Sequence, residues 1–163
     1  MSGLWDAAAL ACGFLLCGAT AQAEGGPGPA LLAPVNALVA FMSAVPPGEH
    51  PAVFAEGGPC IVENFAPFLF CGPDAAARWE SGLRAHFAAE GLAGLAAEFG
   101  AARDFSRVGR RAYFSLPTTW RGFTHGRRFE ERGAWAFVLE RGAAGWRIKS
   151  YGWGVTAYTE SGP

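Results

Sequence analysis

Apolar positions along LLAPVNALVAFMSAV recur at Leu31, Val35, Leu38, Val39 and Met42, a spacing of i, i+4, i+7, i+8 and i+11. That is one face of a helix. PPGEH closes it, and PAVFAE after it reads as one short further helical turn. Gly72-Pro73-Asp74 opens the longest helix, with Asp74 at the N-cap and Trp79, Leu83 and Phe87 on one face. Gly91 and Gly94 break it, and residues 92 to 100 carry no period that assigns them. Between the two helices lies CIVENFAPFLFC, where β-branched and aromatic residues flank Asn64-Phe65-Ala66-Pro67. This predicts a hairpin that pairs 63 with 68, 62 with 69, 61 with 70 and 60 with 71. From 101 onward RRAYFSLPTTWRGF, RRFEERGAWAFVLERG and GWRIKSYGWGVTAY are strand-like, with glycine-containing turns between them. The order predicts an α+β fold, helices covering one face of a bent antiparallel sheet.

The start of the chain reads separately. AAALACGFLLCGATAQA is an apolar run of small residues ending in Ala21-Gln22-Ala23, a small-x-small cleavage pattern before Glu24, although MSGLWD carries Asp6 and no Lys or Arg. Residues 1–23 are therefore expected to be a signal peptide, 24–30 a Gly/Pro linker and 31–160 a single domain. That places the protein in the periplasm or outside the cell, with no membrane attachment after cleavage. If the segment stays on, the protein is cytoplasmic.

The 163 residues are 51% hydrophobic and 17% charged, a globular composition with room for one core. Residues 24–102 hold 2 basic and 8 acidic side chains, and residues 103–163 hold 11 and 5, so the halves carry −6 and +6. Complementary halves that pack together or dimerise explain this better than a polyanion partner. Eight arginines between Arg103 and Arg132 would divide between the faces of alternating strands, so no nucleic-acid partner is expected.

Compartment decides the cysteines. In an exported protein Cys60 and Cys71, opposite each other in the hairpin, form a disulfide that staples the rim of a cavity. In the cytoplasm they are two small buried apolar residues. A metal site would need further ligands, and none of His50, His86 and His125 stands at ligand spacing to a cysteine. No metal and no cofactor is expected.

Several phrases, in order, resemble the SnoaL-like branch of the nuclear transport factor 2-like superfamily: PVNALVAFMSA, FLFCGPDAAARWESGL, RRAYFSLPTTW, RGAWAFVLERGAAGWRI and the late YGWG. They span roughly residues 33 to 155. The resemblance implies a cone, with about three N-terminal helices on a strongly curved, mainly antiparallel sheet around a cavity, and the sheet as a surface for a homodimer. Its members range from ketosteroid isomerases and dehydratases to binding modules, so fold alone does not fix function. Ketosteroid isomerase chemistry transfers badly. The base position falls at Asn64 with Glu63 beside it, and the two oxyanion donors fall at Leu38 and Trp135.

Glu63 is the leading acid/base candidate, since a carboxylate on an apolar hairpin beside a cavity has a raised pKa. Asp104 could face inward as a second carboxylate, and His86 sits at the edge of the long helix's apolar face. Phe65, Phe68, Trp79, Tyr113, Trp120, Trp135 and Trp153 are the expected ligand contacts, which suit a small apolar or aromatic molecule. The leading reading is ligand or partner binding without catalysis. The alternatives are a small lyase, isomerase or hydrolase using Glu63, and a dimeric accessory subunit.

Overall fold

The computed structural model describes residues 25–162. The signal-peptide segment, 1–23, lies outside the described residues. Helix α1 (Pro29–Ser43) starts two residues earlier than the linker reading placed it, because Pro29 and Ala30 already belong to its first turn. Proline suits that position, where the backbone N–H would have no helical partner. All five residues of the apolar stripe are buried. Helix α2 (Ala75–Ala89) has the same length as α1 and buries Trp79, Leu83 and Phe87 as expected. Asp74 occupies its N-cap position without a capping bond; its carboxylate accepts instead from Arg78 Nε at 3.1 Å.

Seven strands form one sheet: β1 (Cys60–Val62), β2 (Leu69–Cys71), β3 (Ala93–Phe99), β4 (Arg103–Val108), β5 (Arg111–Thr124), β6 (Arg127–Gly142) and β7 (Gly145–Ser161). Their order is β2-β1-β7-β6-β5-β3, with β4 also on β5. Every pairing is antiparallel except β1 on β7. Register shifts fall in β3, β4 and twice between β6 and β7. Irregularities of this kind bend a sheet, and here the bent sheet wraps the helices. Residues 92–100, unassigned from sequence, supply β3. Gly91, with φ +55, ends the helix there and turns the chain into that strand.

The described residues contain two helices where about three were expected. PAVFAE is extended: Ile148 N donates to Val53 O at 2.8 Å and Ala55 N to Ile148 O at 3.0 Å. A single isolated turn cannot meet the cost of helix nucleation, whereas an available strand edge satisfies the same backbone groups at once.

The core is continuous and aromatic-rich. Even-numbered residues of β5 (Ala112, Phe114, Leu116, Trp120) and odd-numbered residues of β6 (Trp135, Phe137, Leu139) face the helices. Trp79, fully buried, meets Phe41, Phe54 and Tyr151 with ring centroids 5.8 to 6.2 Å apart. The outward positions are paired by charge, as where Arg121 meets Glu98 at 2.6 Å and Glu130 at 2.8 Å. Arg121 lies in the basic half of the chain and Glu98 in the acidic half, so part of the charge asymmetry is matched inside the fold.

The hairpin has the expected register, Cys60↔Cys71, Ile61↔Phe70 and Val62↔Leu69. Glu63 N donates to Phe68 O, which makes 63 and 68 a hydrogen-bonded pair and 60 and 71 a non-hydrogen-bonded one. The two cysteines are joined by a disulfide, with Cα atoms 4.2 Å apart. Its place differs from expectation: it closes the open base of the hairpin, and the cavity lies at the turn end. The cysteines are 11 residues apart, so the chain-entropy gain is about 2–3 kcal/mol at most. Replacing both with alanine is expected to lower the unfolding free energy by up to that amount, read from a fall in the urea midpoint. A midpoint unaltered by the double substitution would show that the bridge constrains nothing.

Candidate functional site

The concave side of the sheet and the ends of α1 and α2 enclose a cavity of about 220 Å³. Its walls are apolar: Met42, Leu83, Phe87, Leu92, Leu95 and Phe129, together with Trp120, Trp135 and Trp153. The remaining lining residues are Glu63, Asn64, Phe65, His86, Glu90, Thr124, Glu131 and Tyr158. Asn64, Glu90 and Tyr158 are exposed, so the opening lies between the hairpin turn, the end of α2 and the late part of β7.

Glu63 reaches this cavity because β1 alternates: Ile61 and Glu63 point inward while Val62 is exposed. The parallel pairing of Ile61 with Tyr151 and Val62 with Gly152 sets it beside the inward residues of β7. It is 5% exposed, and its Oε1 accepts from Trp79 Nε1 at 2.9 Å and from the Tyr151 hydroxyl at 2.5 Å. Both donors reach the same oxygen, which leaves Oε2 without a hydrogen bond from the described residues. Burial pushes the Glu63 pKa up to about 7, the two hydrogen bonds pull the other way, and Glu131 adds a smaller upward push. Burial, and the Glu63 carboxylate beside it, hold the Tyr151 phenol well above its ordinary value, so it stays a donor.

Glu131 is the second carboxyl of the cavity. It accepts from Trp153 Nε1 at 3.0 Å, and burial raises its pKa while that bond opposes. Gly133 makes the contact feasible. A Cβ there would lie 2.6 Å from Trp153 Cζ2 and Cη2 and would meet the Gly154 carbonyl oxygen as well. The indole therefore lies across a strand that has no side chain under it. His86 stacks on Phe65, with centroids 5.0 Å apart and planes at 15°, and burial lowers its pKa, with Glu90 opposing.

Of the residues singled out from sequence, the structure brings Glu63, His86, Phe65, Trp120, Trp135 and Trp153 to this one cavity. Trp79 lies behind it, as the donor to Glu63. Three others lie elsewhere. Asp104 is exposed on β4 at a register shift, with φ +54, a backbone turn that carries its side chain away from the core. Tyr113 is 38% exposed because Ala112 and Phe114 take the inward phase of β5. Phe68 is 59% exposed at the turn, with φ +69.

Sequence reasoning missed Glu131, Glu90 and Tyr151. For Glu131 the signal was present: counting back in twos from Phe137 and Trp135 puts position 131 on the inward face and Glu130 on the outward one.

The architecture is the nuclear transport factor 2-like fold. Its solved neighbours include the hexachlorocyclohexane dehydrochlorinase LinA-type3 from Novosphingobium barchaimii, with 9% identity over 81% of this chain and 88% of that one, at a TM-score of 0.66. They also include the Kfla4162 protein from Kribbella flavida, with 14% identity over 79% and 90% at 0.60. A second dehydrochlorinase, LinA Type2, matches at 9% identity over 68% and 72% with a TM-score of 0.56. No protein-family model and no curated protein matches the chain.

Two outcomes follow from this geometry. A carboxyl whose folded pKa is about 7, against an ordinary 4.5, binds its proton more tightly in the folded state. Stability is then fully present below pH 4.5 and falls as the pH rises through 7, by roughly 3 kcal/mol. Glu63→Gln keeps an oxygen acceptor and removes the titration, so its thermal midpoint should change much less across that window. Equal slopes for the two proteins would refute the burial assigned to Glu63. Gly133→Ala should displace Trp153 from Glu131, visible as a red shift and a gain in quenching of tryptophan emission. An unaltered spectrum would show that Trp153 does not need the gap.

Proposed function

We propose that the chain is a small-molecule lyase or isomerase in which Glu63 moves a proton to or from a compact apolar or aromatic substrate held in the cavity. The observation that carries this is the Glu63 carboxyl itself. One oxygen is fixed by Trp79 and Tyr151, and the other has no hydrogen bond from the described residues in an aromatic-walled space. A base with a pKa near neutrality is matched to proton transfer at neutral pH, and a positioned base of this kind contributes about 10²–10⁴-fold. The cavity is smaller than drug-sized sites of roughly 300–1,000 Å³, which favours a one-ring substrate. The fold neighbours add that the same cone carries a dehydrochlorinase.

The second reading is binding without turnover. It is favoured by the aromatic lining, where Trp120, Trp135 and Trp153 offer a flat apolar occupant contact area that calls for no chemistry. Under either reading the disulfide suits an oxidising compartment, consistent with export.

A benzisoxazole that opens its ring when one carbon-bound proton is removed is a direct probe of a cavity base. The expected result is catalysis with an inflection near pH 7, reduced at least 100-fold in Glu63→Gln with the probe's affinity unchanged. Equal rates in both proteins would remove Glu63 as a base. Binding of the probe with no turnover in either protein would establish the second reading.

A further inference from the structure

The lining of the cavity has a one-sided charge. Glu63, Glu90 and Glu131 face it, and no lysine or arginine does among the described residues. Among the described residues its basic group is His86, which stacks on Phe65 and is half-buried. An anionic ligand would meet up to three carboxylates and no compensating cation. Unpaired charges in a partly dry space are costly, so such ligands are rejected.

Glu131 is surrounded by aromatic side chains. On the sheet its register partners are Trp120 on β5 and Tyr158 on β7, the two positions nearest to it on either side. Trp153 donates to its carboxylate, and Phe129, two residues back on the same strand and the same face, stacks on Tyr158 with centroids 6.0 Å apart. All five residues line the cavity. Three aromatic residue types around a carboxylate form a familiar chemical combination: ring faces attract a cation through their quadrupoles, and the carboxylate supplies the balancing charge.

We infer that the cavity is a site for small cationic ligands, one-ring compounds bearing a protonated or quaternary amine, with the ammonium held between Trp120, Trp153, Tyr158 and the Glu131 carboxylate. This rests on the cavity being the ligand site and names the class of molecule it takes. It does not need Glu63 to turn that molecule over.

The test uses the oxidised full chain and three probes of nearly one shape: benzyltrimethylammonium, its neutral isostere neopentylbenzene, and phenylacetate. Binding is read from tryptophan fluorescence and from calorimetry. The cation is expected to bind at least 10-fold more tightly than the isostere, phenylacetate not to bind, and Glu131→Gln to abolish the preference. A neutral isostere that binds as well as the cation would overturn the inference while leaving the cavity as the ligand site. Tighter binding of phenylacetate would overturn it outright. If none of the three binds, the inference also fails, whereas the acid–base reading is judged separately by the benzisoxazole rate. The comparison of probes in the unaltered protein decides the question even if Glu131→Gln does not fold.

Discussion

One hydrogen-bonded junction holds three parts of the molecule in place. Glu63 Oε1 takes a bond from Trp79 on α2 and another from Tyr151 on β7, while its own backbone N–H pairs with Phe68 across the hairpin. Without the indole and the phenol, a carboxyl this deeply buried would face a desolvation cost of several kcal/mol. Without the carboxyl, Trp79 and Tyr151 would each leave a buried donor unpaired, which costs about 1–3 kcal/mol apiece. Each group therefore needs the others. The arrangement also fixes where reactivity is available, because it uses one carboxyl oxygen and leaves the second one to the cavity.

A junction of this sort specifies geometry more than it adds stability. A packed leucine at position 63 could be as stable. What it could not do is hold a proton near neutrality at one point of an apolar wall. The same contrast applies to Glu131, where Gly133 gives up a side chain so that Trp153 can lie across the strand and reach the carboxylate. Two inward carboxyls, each bonded by an indole on one side, are an expensive arrangement for a fold that only has to fill its core. In both cases a tryptophan N–H is what allows the acid to stay inside.

Much of the frame was legible in the sequence because it rests on local periodicity. The stripe from Leu31 to Met42, the face of Trp79, Leu83 and Phe87, and the hairpin register from Cys60 to Cys71 follow from spacing alone. The site was legible only in part, since a cavity is made by residues far apart in the chain. Glu63 could be suspected because the hairpin fixes its phase. Glu131 needed the phase of β6 to be carried back from Trp135 through Gly133, which has no side chain to mark it, and Tyr151 needed the parallel pairing of β1 on β7, which no local pattern announces. Asp104 and Phe68 failed for the opposite reason. Each sits at positive φ, where alternation no longer predicts which way a side chain points. The segment around Phe54 was misjudged as helix because its pairing with Ile148, 94 positions away, is invisible locally.

The hairpin shows how these features combine. Its strands are three residues each, too short to stand alone, and β2 is the edge of the sheet. It is held at its base by the disulfide and at its turn by the Glu63 junction, so both ends are anchored while the middle contributes only Ile61 and Phe70 to the core. Directly after Cys71 the chain enters α2, whose Arg78 donates back to the Cys71 carbonyl at 2.9 Å. The covalent tie therefore fixes the start of the helix that carries Trp79, and Trp79 in turn positions Glu63. The bridge lies outside the cavity, yet it acts on the site through the helix. It limits how far the carboxyl can move relative to the aromatic wall that any occupant would have to face.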